Sequence, residues 1–143
     1  MTITFVPATP VVHGVDLVDV AEFSRLLQPA LRAQLSRIFT ETELEECGDN
    51  ERTSERLAGR FATKEAVLKA LGLGFGDGVS FLDVETANDA LGAPSVVTKG
   101  IVSERATASG INSWLLSTSH TSSIAMASVI GVRLETLPAS SST

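Results

Sequence analysis

Two carboxylates and a row of cations are the residues of this sequence best suited to chemistry. Asp16 lies inside Val11-Val-His-Gly-Val-Asp-Leu-Val-Asp-Val20, a β-branched, mostly apolar run that reads as a strand buried on both faces. Alternation puts Asp16 on one face with Val12, Gly14 and Val18, where an unpartnered charge is costly. Glu65 is the second carboxylate. Leu57, Phe61, Glu65 and Leu68 follow at spacings of four, four and three, which places them on one helix face. Either the apolar stripe is shallow there, with Glu65 solvated or paired with Lys69, or the carboxylate has a task. Arg52, Arg56, Arg60 and Lys64 recur at intervals of four along the flank of the same helix. They form a solvated surface or an anion site, since guanidinium groups bind phosphate bidentately. A carboxylate beside a cationic stripe suits a divalent ion meeting phosphates. Magnesium takes oxygen ligands, usually one or two carboxylates with the rest from phosphate and water. Asp16 and Glu65 would be those ligands if the strand and helix pack together.

Other motifs are less directive. Gly72-Leu-Gly-Phe-Gly-Asp-Gly78 carries four glycines in seven residues and must be loop. It follows a helix and lacks a Lys-Ser/Thr ending, so it is neither a dinucleotide fingerprint nor a P-loop. It is a flexible connection or a backbone that lets a ligand approach closely. His120 shares a face with Trp114, Leu116 and Thr118 if its strand continues, as a structural histidine or a ligand contact. His13 lies on the opposite face from Asp16 and has no assigned role. No Gly-x-Ser-x-Gly elbow marks a nucleophile. The single cysteine, Cys47, ends the acidic run Glu43-Leu-Glu-Glu-Cys47, which disfavours a thiolate. Covalent catalysis is a weak reading.

Asp19 is a plausible N-cap for a helix through Phe23, Leu26 and Leu27 towards Leu35, broken or kinked at Pro29. Thr40-Glu-Thr-Glu43 fits a capping box for a short helix, Glu41–Cys47. The longest helix is expected from about Ser54 to Leu71, with Gly72 as its C′ residue. Val79–Thr86 and Ser95–Thr98 look like a hairpin. A short helix, Ile101–Ser109, precedes an antiparallel pair, Ser113–Ser119 and Ile124–Val132. Strands with irregularly interspersed helices predict an α+β fold, an antiparallel sheet packed against one long and several short helices.

With 143 residues, one domain is expected, with an ordered core over about 11–133 between two tails. Hydrophobic residues make up 43%, enough for a core without staples. Lys plus Arg number 11 against 17 acids, a formal charge of -6, which argues against general binding of nucleic acid or anionic membrane. The charge is uneven, however. Residues 1–50 hold eight acids and three bases, whereas 51–71 hold five bases and three acids, so phosphate ligands are not excluded. One cysteine cannot make an internal disulfide. No signal peptide and no membrane span are apparent, and a cytoplasmic location is expected.

Gly14-Val-Asp-Leu-Val18, Leu57-Ala-Gly-Arg-Phe-Ala-Thr-Lys-Glu-Ala66 and Ser117-Thr-Ser-His-Thr121, in this order, resemble the holo-acyl-carrier-protein synthases, the small phosphopantetheinyl transferases. Arg37-Ile-Phe-Thr-Glu-Thr-Glu-Leu44, Lys69-Ala-Leu-Gly72 and Gly92-Ala-Pro94 also fit, and the likeness spans about residues 11 to 132. The resemblance implies transfer of 4′-phosphopantetheine from coenzyme A to a serine of an apo acyl carrier protein, releasing 3′,5′-ADP. It implies that Asp16 and Glu65 hold magnesium on the diphosphate. The resemblance does not single out the group that takes the serine proton; Glu65, directly or through a water, is the preferred candidate. Arg60, His120 and Thr121 would hold the 3′-phosphate, and Lys69 would reach the diphosphate. Lys64 would join the cofactor-binding cations, Gly72 and Gly74 would lie along the nucleotide, and Pro94 would lie near adenine. Arg25, Arg32 and Arg37 would draw in the acidic carrier protein. The resemblance further implies a homotrimer with active sites between subunits, and a place in fatty acid biosynthesis. The client could equally be a polyketide or synthase-embedded carrier domain, and a non-catalytic coenzyme A-binding module is the alternative of another class. Ala93 stands where relatives commonly carry lysine, and Thr121 where some carry an acid, so no base sits at that position.

Overall fold

In the computed structural model, which describes residues 3, 9–27, 32–74 and 76–140, helices and strands alternate irregularly. The order is β1 (Val11–Asp19), α1 (Val20–Leu26), α2 (Arg32–Leu35), α3 (Glu41–Cys47), α4 (Thr53–Ala70), a 3-10 turn (Phe81–Asp83), β2 (Val84–Asn88), β3 (Pro94–Thr98), α5 (Gly100–Ala108), β4 (Ser113–His120) and β5 (Ile124–Val132). Strands β1, β5 and β4 form one antiparallel sheet in that order, and β2 pairs with β3 in a second. The architecture is the expected α+β one.

The long helix α4 lies across the three-stranded sheet. Both surfaces are built from small residues, Ala58, Ala62 and Ala66 on the helix and Ala125 and Ala127 on β5, all fully buried. Small side chains bring the backbones together, and Gly14 takes this furthest. A Cβ at Gly14 would lie 1.9 Å from the Ala66 carbonyl oxygen, so only glycine fits. Helix α4 ends in a Schellman motif: Gly72, at φ 66°, donates to the Lys69 carbonyl and Leu73 to the Leu68 carbonyl, as the C′ glycine predicts. The Asp19 N-cap and the Thr40–Glu43 capping box are both formed.

Three expectations change. Strand β1 is covered on one face only: Gly14 and Val18 are buried, whereas Val15 and Leu17 on the other face are exposed. The first half of the expected strand Val79–Thr86 is instead a 3-10 turn. The Ser80 hydroxyl accepts from the Leu82 amide and the Asp83 carboxylate from the Ser80 amide, and this reciprocal cap favours a tight turn over a ladder. The helix after Asp19 ends at Leu26, and the break placed at Pro29 lies outside the described residues.

Candidate active site

Gly14 and Asp16 are two residues apart on the same face of β1, and Ala66 is the neighbour of Glu65 on α4. The close approach at Gly14 therefore sits beside both carboxylates and brings them to one cleft. That cleft, about 290 Å³, is bordered by Asp16, Asp19, Glu22, Phe61 and Glu65 among others. The Phe61 ring stacks 5.4 Å from both Phe23 and Phe81, which gives Glu65 an apolar surround. Burial, and then the negative charge of Asp16, push the Glu65 carboxyl above its ordinary range, with Lys69 opposing. Glu65 also borders a smaller, largely apolar recess of about 50 Å³ with Leu68, Leu73, Val79 and Phe81.

Lys69 does not settle on Glu65. Its ammonium donates to Asp16 Oδ1 at 2.6 Å and to the Val15 carbonyl at 3.4 Å, and the bond to Asp16 raises its pKa. Two carboxylates with a single, half-exposed cation between them remain net negative. Hard oxygen donors in that arrangement suit magnesium. Among the described residues no cluster of three or more His, Cys, Asp and Glu could hold an ion alone, so Asp16 and Glu65 would need phosphate or water to complete the shell.

The cationic side of α4 forms a second pocket. Arg60 precedes Glu65 by five residues, about 140° around the helix. It borders a pocket of about 160 Å³ with Arg56, Thr86, Pro94, Thr118 and His120. Glu46 holds one end of its guanidinium, at 2.6 Å. Arg60 Nε and Thr86 Oγ1 are buried without a hydrogen-bond partner among the described residues, and buried polar groups are rarely left so. His120 Nδ1 stands 3.8 Å from Glu55 Oε2. The pocket offers two guanidinium groups, hydroxyls, an imidazole and a prolyl face, with the Glu55 carboxylate also on its lining. It shares no lining residue with the carboxylate cleft.

Other expected site residues are placed as follows. Lys64 is fully buried; its ammonium donates to Glu43 Oε1 at 2.7 Å, to the Phe81 carbonyl at 3.0 Å and to the Val84 carbonyl. All three protons are committed, so Lys64 cannot also serve a bound cofactor, and burial lowers its pKa against the pull of Glu43. The Thr121 hydroxyl oxygen accepts from the Ser123 and Ile124 amides and closes the β4–β5 turn. Gly72 caps α4, and the Gly74 amide donates to Asp77 Oδ2 at 2.8 Å. Arg25 and Arg37 are exposed; the Arg32 side chain lies outside the described residues. Spacing gave no sign of Glu43, Glu46 or Thr86. Glu43 was legible as a capping residue, but its link to Lys64 spans 21 positions.

The chain is similar to known proteins in sequence and in fold. The family model of the 4′-phosphopantetheinyl transferase superfamily matches residues 13–127. A holo-[acyl-carrier-protein] synthase of Geobacter sp. (strain M21) is 40% identical over 117 residues, 82% of this chain and 94% of that protein. Among solved structures, the Helicobacter pylori holo-[acyl-carrier-protein] synthase in complex with coenzyme A superposes with a TM-score of 0.72 at 31% identity, covering 83% of this chain and 98% of that one. The Bacillus anthracis enzyme, in complex with CoA (3′,5′-ADP), does so with a TM-score of 0.70 at 33% identity, over 89% and 100%.

Proposed function

This chain belongs to the 4′-phosphopantetheinyl transferase superfamily, and we infer that it is a holo-acyl-carrier-protein synthase. It moves 4′-phosphopantetheine from coenzyme A to a serine of an apo acyl carrier protein. The observation that carries this reading is the pair of unlike surfaces on α4, a carboxylate cleft at Asp16 and Glu65 and a cationic pocket at Arg60 and His120.

The carrier serine oxygen attacks the phosphorus that bears pantetheine, and the bond from that phosphorus to the bridging oxygen breaks, releasing 3′,5′-ADP. Arg60 and His120 hold the 3′-phosphate, with Thr121 nearby on the turn, and Pro94 packs near adenine. Lys69 leaves Asp16 for the diphosphate. Glu65 takes the serine proton, directly or through a water. Asp16 and Glu65 would hold magnesium, which when bound neutralises diphosphate charge and polarises the phosphorus being attacked. The nucleophile comes from the partner, in keeping with a chain that carries no nucleophile motif of its own.

Two features support a homotrimer with sites between subunits. One is the exposed outer face of the sheet, where Val15, Leu17, Leu115, Ile124 and Met126 are all at least 37% exposed and form an apolar surface suited to association. The other is the separation of cleft and pocket around α4, which a neighbouring copy would bridge. Exposed Arg25 and Arg37, with Arg32, would attract an acidic carrier protein. The reading places the enzyme in the cytoplasm, in fatty acid biosynthesis; no helix among the described residues is long and apolar enough to cross a membrane.

Incubation with coenzyme A, magnesium and a panel of apo carrier proteins, read by intact mass, tests this. Gain of one phosphopantetheine on the acyl carrier protein is expected. Gain only on a polyketide or synthase-embedded domain would change the client, and coenzyme A binding without transfer would leave a binding module. Arg60→Ala should raise KM for coenzyme A more than for its 3′-dephospho form; equal effects would remove Arg60 from the 3′-phosphate.

A further inference from the structure

One buried ion pair is used by neither surface of α4. We propose that Glu43 and Lys64 are positioning residues for transfer: their shared hydrogen bonds fix α4 against the segment carrying Phe81 and Thr86, and so hold the carboxylate cleft and the cationic pocket in one geometry. This rests on the reading above that both surfaces serve one reaction.

The connections run through four elements. Lys64, on α4, donates to Glu43 on α3, to the Phe81 carbonyl in the 3-10 turn and to the Val84 carbonyl on β2. Glu43 Oε1 also accepts from the Thr40 amide at 3.0 Å, and its Oε2 from the Thr86 amide at 3.3 Å. Both side chains are wholly buried. Phe81 borders the recess shared with Glu65, and Thr86 borders the pocket shared with Arg60. One hydrogen bond thus leads from Lys64 to the wall beside Glu65, and one bridging carboxylate leads from it to the wall beside Arg60. Lys64 itself directly precedes Glu65 and follows Arg60 by about one helical turn.

Stability alone is a poor reason for such a pair. Apolar residues of similar volume often serve a core equally well or better, whereas directional bonds can specify register. Neither residue is placed to touch substrate, so neither is catalytic. Their effect passes through Phe81, Thr86 and the rotation of α4.

The double variant Glu43→Leu/Lys64→Met removes both charges while keeping apolar volume. Four quantities are measured on it and on the wild type: the Tm, kcat/KM for coenzyme A, the calorimetric Kd for 3′,5′-ADP, and the magnesium concentration giving half-maximal transfer. A destabilised control, Val102→Ala, removes buried apolar volume at a residue that borders neither the cleft nor the pocket. The proposal predicts that the double variant still folds, with a Tm lowered because the Thr40 and Thr86 amides and the Phe81 and Val84 carbonyls lose these partners, and that it loses roughly 10–100-fold in kcat/KM. Its 3′,5′-ADP Kd and its magnesium requirement should rise together. The Val102 variant should lose Tm and keep both binding values. A double variant that folds with both values unchanged overturns the proposal, and one that fails to fold overturns it in favour of a purely structural pair. A wild-type chain that binds no 3′,5′-ADP fails at the functional reading itself, before any variant is compared, and the proposal falls with it.

Discussion

Two lysines five residues apart on α4 make ion pairs of almost equal length, 2.7 Å from Lys64 to Glu43 and 2.6 Å from Lys69 to Asp16. Their surroundings differ completely. The Lys64 side chain has no exposure at all, and the Lys69 side chain is 55% exposed. Length therefore does not rank them; desolvation does. The buried pair cannot be opened without stranding a charge, whereas the exposed one can exchange partners at little cost. A permanent fastening and an exchangeable contact stand within two turns of one helix, and Glu65, the proposed catalytic carboxylate, lies between them in sequence.

The largest effect expected from this contrast is on folding. Lys64→Met leaves the Glu43 carboxylate buried without its cation and should cost about 3–5 kcal/mol in denaturant unfolding. Gly14→Ala comes next. Its Cβ would meet the Ala66 carbonyl oxygen at 1.9 Å, so β1 must move off α4, at about 1–3 kcal/mol or more. Transfer should fall further than stability, because Asp16 moves with the strand. Lys69→Met should cost only ~0–1 kcal/mol, yet raise KM for coenzyme A. A loss of stability comparable to that of Lys64→Met would break the comparison.

The smallest effect is a pH-dependent one at Glu65. Its folded-state pKa is raised, so the ionised form burdens the folded state at neutral pH. Glu65→Gln should therefore have a higher Tm than wild type near neutrality. The difference should close as pH falls through the raised value into the ordinary carboxylate range, where both side chains are neutral. A gap that widens on acidification would reverse the sign assigned to Glu65.

Much of this was readable in the sequence. Alternation in β1 put Asp16 on the Gly14 face, and the spacing of Leu57, Phe61, Glu65 and Leu68 put Glu65 towards the interior. Both statements depend only on local geometry. Apolar residues signal burial without saying by what, so β1 reads as buried on both faces; Val15 and Leu17 face outward, where a second copy of the chain is proposed to sit. Lys64 falls in line with the arginines for another reason. Intervals of four advance about 40° per step around a helix, so three steps carry the stripe about 120°. Arg52 is exposed at one end and Lys64 is buried at the other. The drift was calculable, but its destination depended on Glu43, 21 positions away. The cationic pocket likewise needs Thr86, Pro94 and His120 from three separate strands, and no local pattern unites them.

The claim that phosphopantetheine transfer depends on the carboxylate cleft is tested most directly with Glu65→Gln. The variant should be folded by circular dichroism and supplied with saturating coenzyme A, magnesium and an apo acyl carrier protein, with transfer followed by intact mass. The expected result is carrier modification by the wild type and a rate lower by about 10²–10³-fold or more in the variant, the scale of losing one preorganised electrostatic partner. Modification by folded Glu65→Gln at the wild-type rate, with unchanged magnesium dependence, would contradict it.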